Sequence, residues 1–226
     1  MNEYLKKVQS IVWKDIIIEL RMKEMLNTML IFSILVILIS SFAFGTFNQE
    51  MTQSIAPGVL WIAFTFAGML GLGRSFISEK DRGCLQGMML APTDWSAIYI
   101  GKTIANLIFM SIMEILTLIV FVVLFNFGQI ITSPLKFVLI TIVGTFGFVS
   151  VGTLLSAVSV NTKTREMLLP VLLFPVIVPI IIGAVEATLS IITANGQFWG
   201  WVRILVAYDI IFFTVSALSF NYVIEG

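Results

Sequence analysis

Long apolar runs constrain the fold of this chain more than any other feature of its sequence. Six such runs alternate with short polar connections. A helix needs roughly 20 apolar residues to cross the hydrocarbon core of a membrane, and each run is about that long. We predict membrane spans at about residues 27–47, 58–77, 98–127, 135–160, 167–186 and 202–223.

Composition supports the same fold class, an all-α polytopic membrane protein. Hydrophobic residues make up 58% of the chain and charged residues 12%, which excludes a water-soluble globular domain. The net charge is zero, so nucleic-acid binding has no electrostatic support. The chain has no histidine and one cysteine, so the usual metal sites cannot be assembled, and we expect no tightly bound cofactor or metal.

Residues 1–26 precede the first span and have the pattern of an interfacial helix. Apolar residues follow one face of a helical wheel and basic residues the other, which is typical of a helix lying at the headgroup boundary. Glu19 falls near the apolar side, where we predict an ion pair with Lys23. The apolar face holds Leu5, Val8, Val12, Ile16 and Leu20, and the basic face holds Lys7, Lys14 and Arg21.

The distribution of Lys and Arg predicts the orientation of the spans. Eleven of these residues lie in residues 1–26, around the 78–97 connection and between the fourth and fifth spans, and two, Lys136 and Arg203, lie on the opposite side. By the positive-inside rule, both termini and the 78–97 connection are cytoplasmic.

The 78–97 connection has the pattern of a short amphipathic helix to which a soluble partner could bind. Charged residues lead into an apolar run, and Pro92 bars further helix after Ala91. The candidate coupling residues are Glu79, Arg82, Gly83, Leu85, Met88, Met89 and Leu90.

Several polar residues fall within or beside the predicted spans, where an ionisable side chain must be neutral, paired with another group or in contact with water. Lys102, Asn106, Met110 and Glu114 recur every four residues, so we expect this stripe to face the protein interior. The other candidates near the outer side are Glu186, Arg203, Tyr208 and Asp209. Two interpretations remain open: these residues line a cavity or gate, or they join helices, for example through Glu186 or Asp209 paired with Arg203.

Pro170, Pro175 and Pro179 fall within the fifth span. Each removes a backbone hydrogen bond and bends a helix, so the hypothesis is a hinged or broken helix that moves during transport, and the alternative is a static kink.

Smaller signals concern packing and the membrane interface. Small residues at helical spacing in the second and fourth spans indicate close helix packing, within one subunit or between two copies. Trp61, Trp95, Trp199 and Trp201 lie at predicted span ends and are interpreted as interfacial anchors. The segment 187–200 is too short to cross, so we expect it to lie in the outer interface or to dip in and return.

Gly101-Lys102-Thr103 resembles the end of a phosphate-binding loop, but Ser96 stands where that loop requires a glycine. No nucleophile can be combined with a histidine base. The sequence therefore predicts a protein that is not an enzyme.

The 78–97 connection also carries a family resemblance. Its pattern E-x-x-x-G-x-L-x-x-x-x-L-x-P, followed nine residues later by Gly-Lys, resembles the connection between the second and third spans of type-2 ABC exporter membrane domains. Four blocks, WKDIIIELRMKEMLNTML, VLWIAFTFAGMLGLGRSF, LLPVLLFPVIVPIIIGAVEAT and AYDIIFFTVSALSFNYVIE, are similar to haem exporter protein B (CcmB), the permease family of the cytochrome c maturation system.

The resemblance implies a permease subunit that does not hydrolyse ATP itself. A separate ATPase subunit, CcmA, would hydrolyse ATP and bind to a coupling helix at Glu79–Leu90 of the permease. The resemblance also implies two permease copies in a complex with CcmC, CcmD and the haem chaperone CcmE, in a bacterial inner membrane or, as the alternative, a mitochondrial one. Haem is then the expected substrate, exported or released with its chaperone. The alternative functions are another type-2 ABC exporter, for lipid or drug, and an ion-coupled secondary transporter.

Overall fold

The computed structural model describes residues 2–44, 49–81, 94–128, 133–160, 162, 165–193 and 196–225. Within these ranges the chain forms helices and no strands. The helices are α1 (Asn2–Met22), α2 (Glu24–Phe44), α3 (Gln49–Asp81), α4 (Trp95–Phe125), α5 (Pro134–Val160), α6 (Arg165–Thr193) and α7 (Phe198–Glu225). Six of them, α2 to α7, are long and apolar enough to cross a membrane, which confirms the predicted all-α, six-span fold class.

The first helix ends earlier than the predicted boundary at residue 26. Lys23 adopts a left-handed backbone conformation (φ 54°), and its N–H donates to the Glu19 carbonyl oxygen at 2.7 Å. A residue in this conformation just after the last turn is a common way to end a helix. Two separate helices, α1 and α2, therefore meet at Lys23.

Glu19 caps α2, so the predicted ion pair with Lys23 is wrong. Its Oε1 accepts a hydrogen bond from the backbone N–H of Leu26 at 2.8 Å, in the first turn of α2. The first N–H groups of a helix have no partner within that helix, and a carboxylate satisfies them well. Glu19, which the helical wheel places beside apolar residues, therefore joins α1 to α2 through this hydrogen bond.

The face by which α1 contacts the protein is rotated from the predicted apolar face. It packs along the first half of α4, with Val8 and Asp15 buried against that helix. Gly101 makes this approach close, because a Cβ at that position would lie 2.9 Å from Ile11. The large apolar side chains left exposed on α1 are Leu5, Trp13, Leu20 and Met22.

Two span boundaries differ clearly from the sequence prediction. The second begins at Met51 instead of 58, with Pro57 inside the helix, and the fifth continues to Thr193 instead of 186. Residues 187–193 are therefore helical, and α7 begins at Phe198. A proline removes one backbone donor but need not end a helix that its neighbours support.

Helix α3 lies at the centre of the bundle and packs on α2, α4, α5 and α6. Small residues make these contacts possible: a Cβ on Gly71 would overlap Met29 of α2, and one on Gly152 of α5 would overlap Leu72. The Ser156 hydroxyl donates to the Leu72 carbonyl oxygen at 2.6 Å. The small-residue pattern therefore serves packing within one subunit.

Trp61 is not an interfacial anchor, which corrects that interpretation. It is 4% exposed, and its indole Nε1–H donates to the Thr188 hydroxyl at 2.9 Å, joining α3 to α6. Trp199 is 56% exposed at the start of α7, where an anchor role stays a prediction.

Candidate functional site

The predicted polar stripe on α4 is buried along its whole length. Lys102, Asn106, Met110 and Glu114 are each 3% exposed or less. Each of the three polar members has a partner on another helix, as the following contacts show. Their role as a gate stays a prediction.

At the N-terminal end of the stripe, Lys102 forms a buried ion pair. Its Nζ lies 2.9 Å from Oδ2 of Asp15 on α1 and 5.3 Å from the centroid of the Phe76 ring. Lys14 lies 3.2 Å from the other carboxylate oxygen of Asp15. The lysine of the Gly-Lys-Thr sequence is thus committed to joining α1 to α4 and does not face a phosphate site.

Further along, Asn106 donates from Nδ2 to the Thr153 hydroxyl at 3.1 Å, and the Thr145 hydroxyl donates to Oε1 of Glu114 at 2.6 Å. Both threonines lie on α5 and both are buried. A hydrogen bond to a carboxyl group in such surroundings is short and strong. The stripe therefore joins α4 to α5 at two levels.

A cavity of about 440 Å³ opens beside Glu114, between α4 and α5. We call it the Glu114 cavity. Its walls are almost entirely apolar, and two of the residues that line it, Ile115 and Ile142, are each 61% exposed at the surface of the helix bundle. The lining residues are Phe64, Leu107, Ser111, Glu114, Ile115, Leu118, Phe137, Val138, Thr141, Ile142, Thr145 and Phe146.

A second, much smaller void also contacts Glu114. Phe64, Glu114 and Thr145 line both spaces, and the smaller void also contacts Trp61, Met110 and Ile180 from three helices. The Glu114–Thr145 pair therefore borders both spaces.

Asp209 is the second buried carboxyl group within a span. It is 6% exposed, and its Oδ1 has no hydrogen-bond partner within the described parts of the chain. It packs against Gly147 of α5, where a Cβ would overlap Oδ1. The observed position of the Asp209 side chain therefore requires a glycine at residue 147 of the facing helix.

The structure does not form the pairs that one interpretation assigned to Arg203. Arg203 is exposed at the start of α7 and Glu186 is half-buried on α6, and neither makes an ion pair with a described residue. The interhelical contacts thus come from other residues, and a gating role for Glu186, Arg203 and Asp209 stays a prediction.

Helix α6 is continuous through Pro170, Pro175 and Pro179, so it is not broken. The Tyr208 hydroxyl donates to the Val176 carbonyl oxygen at 2.6 Å, in the turn before Pro179. A hydroxyl from a neighbouring helix is one way in which carbonyl groups near a proline are satisfied in a membrane. Whether α6 acts as a hinge stays a prediction.

Most of the predicted coupling residues lie outside the described residues. These are Arg82, Gly83, Leu85, Met88, Met89 and Leu90. Glu79 and Lys80 belong to the last turn of α3, so the helix continues beyond the predicted end at Ile77. Lys80 donates from Nζ to the Val160 carbonyl oxygen at 2.7 Å, which caps the end of α5.

Sequence reasoning missed the hydroxyl partners on α5. Thr145 and Thr153 lie eight residues apart, so they share one helix face, and Ser156 follows close by. That spacing was the available signal. It could not show that this face meets α4, because the pairing of helices is decided by packing.

Six apolar helices with buried, hydrogen-bonded polar side chains define a multi-pass, all-α membrane protein. The chain belongs to the CcmB family, because the family model described as CcmB protein matches residues 6–225.

Individual relatives agree with this assignment along most of the chain. The protein named "Heme exporter protein B" from Pseudomonas aeruginosa is 26% identical over 190 residues, covering 83% of each chain. Proteins of the same name from Bradyrhizobium diazoefficiens and Rhodobacter capsulatus are 23% and 29% identical, covering 94% of each chain and about 70% of each chain respectively.

Proposed function

We propose that this chain is the membrane permease subunit of an ATP-driven haem exporter complex that serves cytochrome c biogenesis. The observation that carries the proposal is the match to the CcmB family across residues 6–225, together with the six spans. The relatives named "Heme exporter protein B" supply the substrate class.

ATP hydrolysis belongs, in this proposal, to a separate ATPase subunit, CcmA, which docks on the cytoplasmic connection at Glu79–Leu90. Lys102 supports this division of labour, because the one lysine in a phosphate-loop-like sequence is buried in an ion pair with Asp15. The complex holds two permease copies in the bacterial inner membrane, with both termini cytoplasmic.

Haem, in this proposal, is held by the partners CcmC, CcmD and CcmE. The sequence contains no histidine, the commonest axial ligand of haem iron. ATP binding and hydrolysis on CcmA then drive a movement of the spans that exports haem or releases its loaded chaperone.

Co-purification tests the docking of the ATPase. Replacing Leu85 and Met89 together by Asp places two charges on the apolar face of the coupling segment, which should reduce recovery of CcmA with the tagged permease at least tenfold. The matched control replaces Ile130 and Ile131 by Asp in the opposite connection, where recovery should not change. Undiminished recovery with the Leu85/Met89 variant at normal membrane level would contradict the proposal.

A further inference from the structure

The Glu114 cavity has the shape of a binding site for a membrane-dissolved molecule. Its residues follow three turns of α4, from Leu107 to Leu118, and almost as many of α5, from Phe137 to Phe146. The volume of about 440 Å³ lies within the roughly 300–1,000 Å³ that small-molecule sites occupy. Ile115 and Ile142, which line the cavity, are each 61% exposed within two predicted membrane spans, so we infer that the cavity opens toward the bilayer.

The chemistry of the walls limits what can bind. Glu114 is an acid, and no lysine or arginine stands among the residues that line the cavity. The hydroxyl protons of two lining residues are already committed, since Thr145 donates to Glu114 and Thr141 donates to the Phe137 carbonyl oxygen. Ser111 adds one further hydroxyl to the lining, so an entering polar group meets the Glu114 carboxyl group and this hydroxyl within an apolar surface.

We propose that the Glu114 cavity binds a lipid-soluble amine, with its apolar chain between α4 and α5 and its amino group at the Glu114 carboxyl. A protonated amine supplies a positive charge, which none of the described residues lining the cavity carries, and its pairing with a carboxyl oxygen is strong where water is excluded. An anionic amphiphile, including the carboxylate edge of a haem, has no cation to meet there. The site is thus separate from the haem-related function proposed above.

Photolabelling of the full chain in phosphatidylcholine nanodiscs tests this site. The probe is a dodecylamine carrying a diazirine on its chain, and labelled peptides are located by mass spectrometry. We expect labelling within residues 107–118 and 137–146. Dodecylamine should compete with the probe at least tenfold better than dodecanol, and dodecanoate should compete least, because only the amine provides a charged donor.

Two variants test the contact with the Glu114 carboxyl group and access to the Glu114 cavity separately. Glu114→Gln keeps the size of the side chain but removes the charge, so amine labelling should fall about tenfold. Ile142→Trp should block the entrance. Val123→Trp is the matched control, because Val123 is also lipid-exposed on α4 but does not line the cavity. Labelling of Val123→Trp should equal that of the wild type.

Three results would overturn the proposal. Equal competition by dodecylamine and dodecanoate on the wild-type chain would show that the Glu114 cavity accepts any alkyl chain. This comparison uses only the wild type, so it does not depend on whether a variant folds. Unchanged labelling of Glu114→Gln would exclude the carboxyl contact. A disulfide between two copies of Ile142→Cys in a Cys84→Ser background would show that the cavity is covered by a second copy of the chain. None of these results depends on whether CcmA co-purifies, so the two proposals fail independently.

Discussion

At the scale of one residue, Glu19 shows that a helical pattern can predict the location of a side chain and still predict the wrong partner. The helical wheel located it beside apolar residues, which is where the structure has it, largely buried at 8% exposed. The wheel pointed to Lys23 as partner because that residue is four positions on. The chain instead turns at Lys23, and the carboxylate is closer to the first N–H groups of α2.

Burial has an electrostatic consequence at Glu19, which lies before the first span. It raises the pKa of the carboxyl group above the ordinary value of 4.5, although hydrogen bonds from the N–H groups of Leu26 and Met25 oppose the shift. A group whose pKa is higher in the folded state contributes stability at low pH, and that contribution is lost as the pH rises through its folded pKa.

We therefore predict a pH-dependent difference between the wild type and Glu19→Gln, which keeps an acceptor oxygen but cannot ionise. The free energy of unfolding of the wild type should fall relative to the variant as the pH rises from 4.5 through the raised pKa. Thermal unfolding in detergent between pH 4 and pH 8 measures the difference, with Glu3→Gln at an exposed position as the control. A difference that is constant with pH would show that Glu19 does not titrate differently in the folded state.

At the scale of elements, the informative contact is the one between α1 and α4. Gly101 allows the two helices to approach closely, and the Asp15–Lys102 pair closes the contact beside it. The sequence showed Lys102 as part of a buried stripe but gave no sign that its partner lies on the N-terminal helix. The pairing of distant helices decides such contacts, and helical periodicity carries no information on it.

Breaking this buried pair should be costly, because the buried Asp15 carboxylate loses its buried partner and keeps only the pair with the more exposed Lys14. We predict that Lys102→Met lowers the free energy of unfolding by roughly 3 kcal/mol, whereas Asp15→Asn combined with Lys102→Met loses clearly less. Lys7→Met, which removes a surface pair between a half-buried lysine and the exposed Glu3 at 4.0 Å, should cost less than about 1 kcal/mol.

Reversible unfolding in mixed micelles, followed by circular dichroism, compares the wild type with Lys102→Met, Asp15→Asn, the double variant and Lys7→Met. The account of the pair would be wrong if the double variant lost as much stability as the sum of its two single changes.

At the scale of the whole molecule, the six candidate spans within the described residues predict that residues 2 and 225 lie on the same side of the membrane. The distribution of Lys and Arg predicts that this side is the cytoplasm. The chain has a single cysteine, Cys84, in the connection assigned to that side, so the orientation can be measured without removing other thiols.

We predict that a membrane-impermeant maleimide labels Cys84 in inverted membrane vesicles and not in intact spheroplasts. The control combines Cys84→Ser with Gln129→Cys in the opposite connection, and it should give the reverse result. Labelling of the wild type in intact spheroplasts would place the 78–97 connection outside the cell and remove the basis for ATPase docking.

The sequence by itself determined the number of spans, the fold class and the family. Hydrocarbon forces each spanning segment to satisfy its backbone hydrogen bonds internally, so a long apolar run becomes a helix whatever it packs against. Periodicity also located the buried stripe that ends at Glu114, since the polar face of a membrane helix turns inward.

Only the tertiary structure decided the partners within that interior. The contacts of Glu114 with Thr145, Lys102 with Asp15 and Trp61 with Thr188 join residues of different helices. The unpaired Oδ1 of Asp209 and the cavity beside Glu114 likewise follow from which helix faces meet. Packing between helices in a membrane depends on close steric fit and a few hydrogen bonds, and neither is written in the hydrophobicity of a single segment.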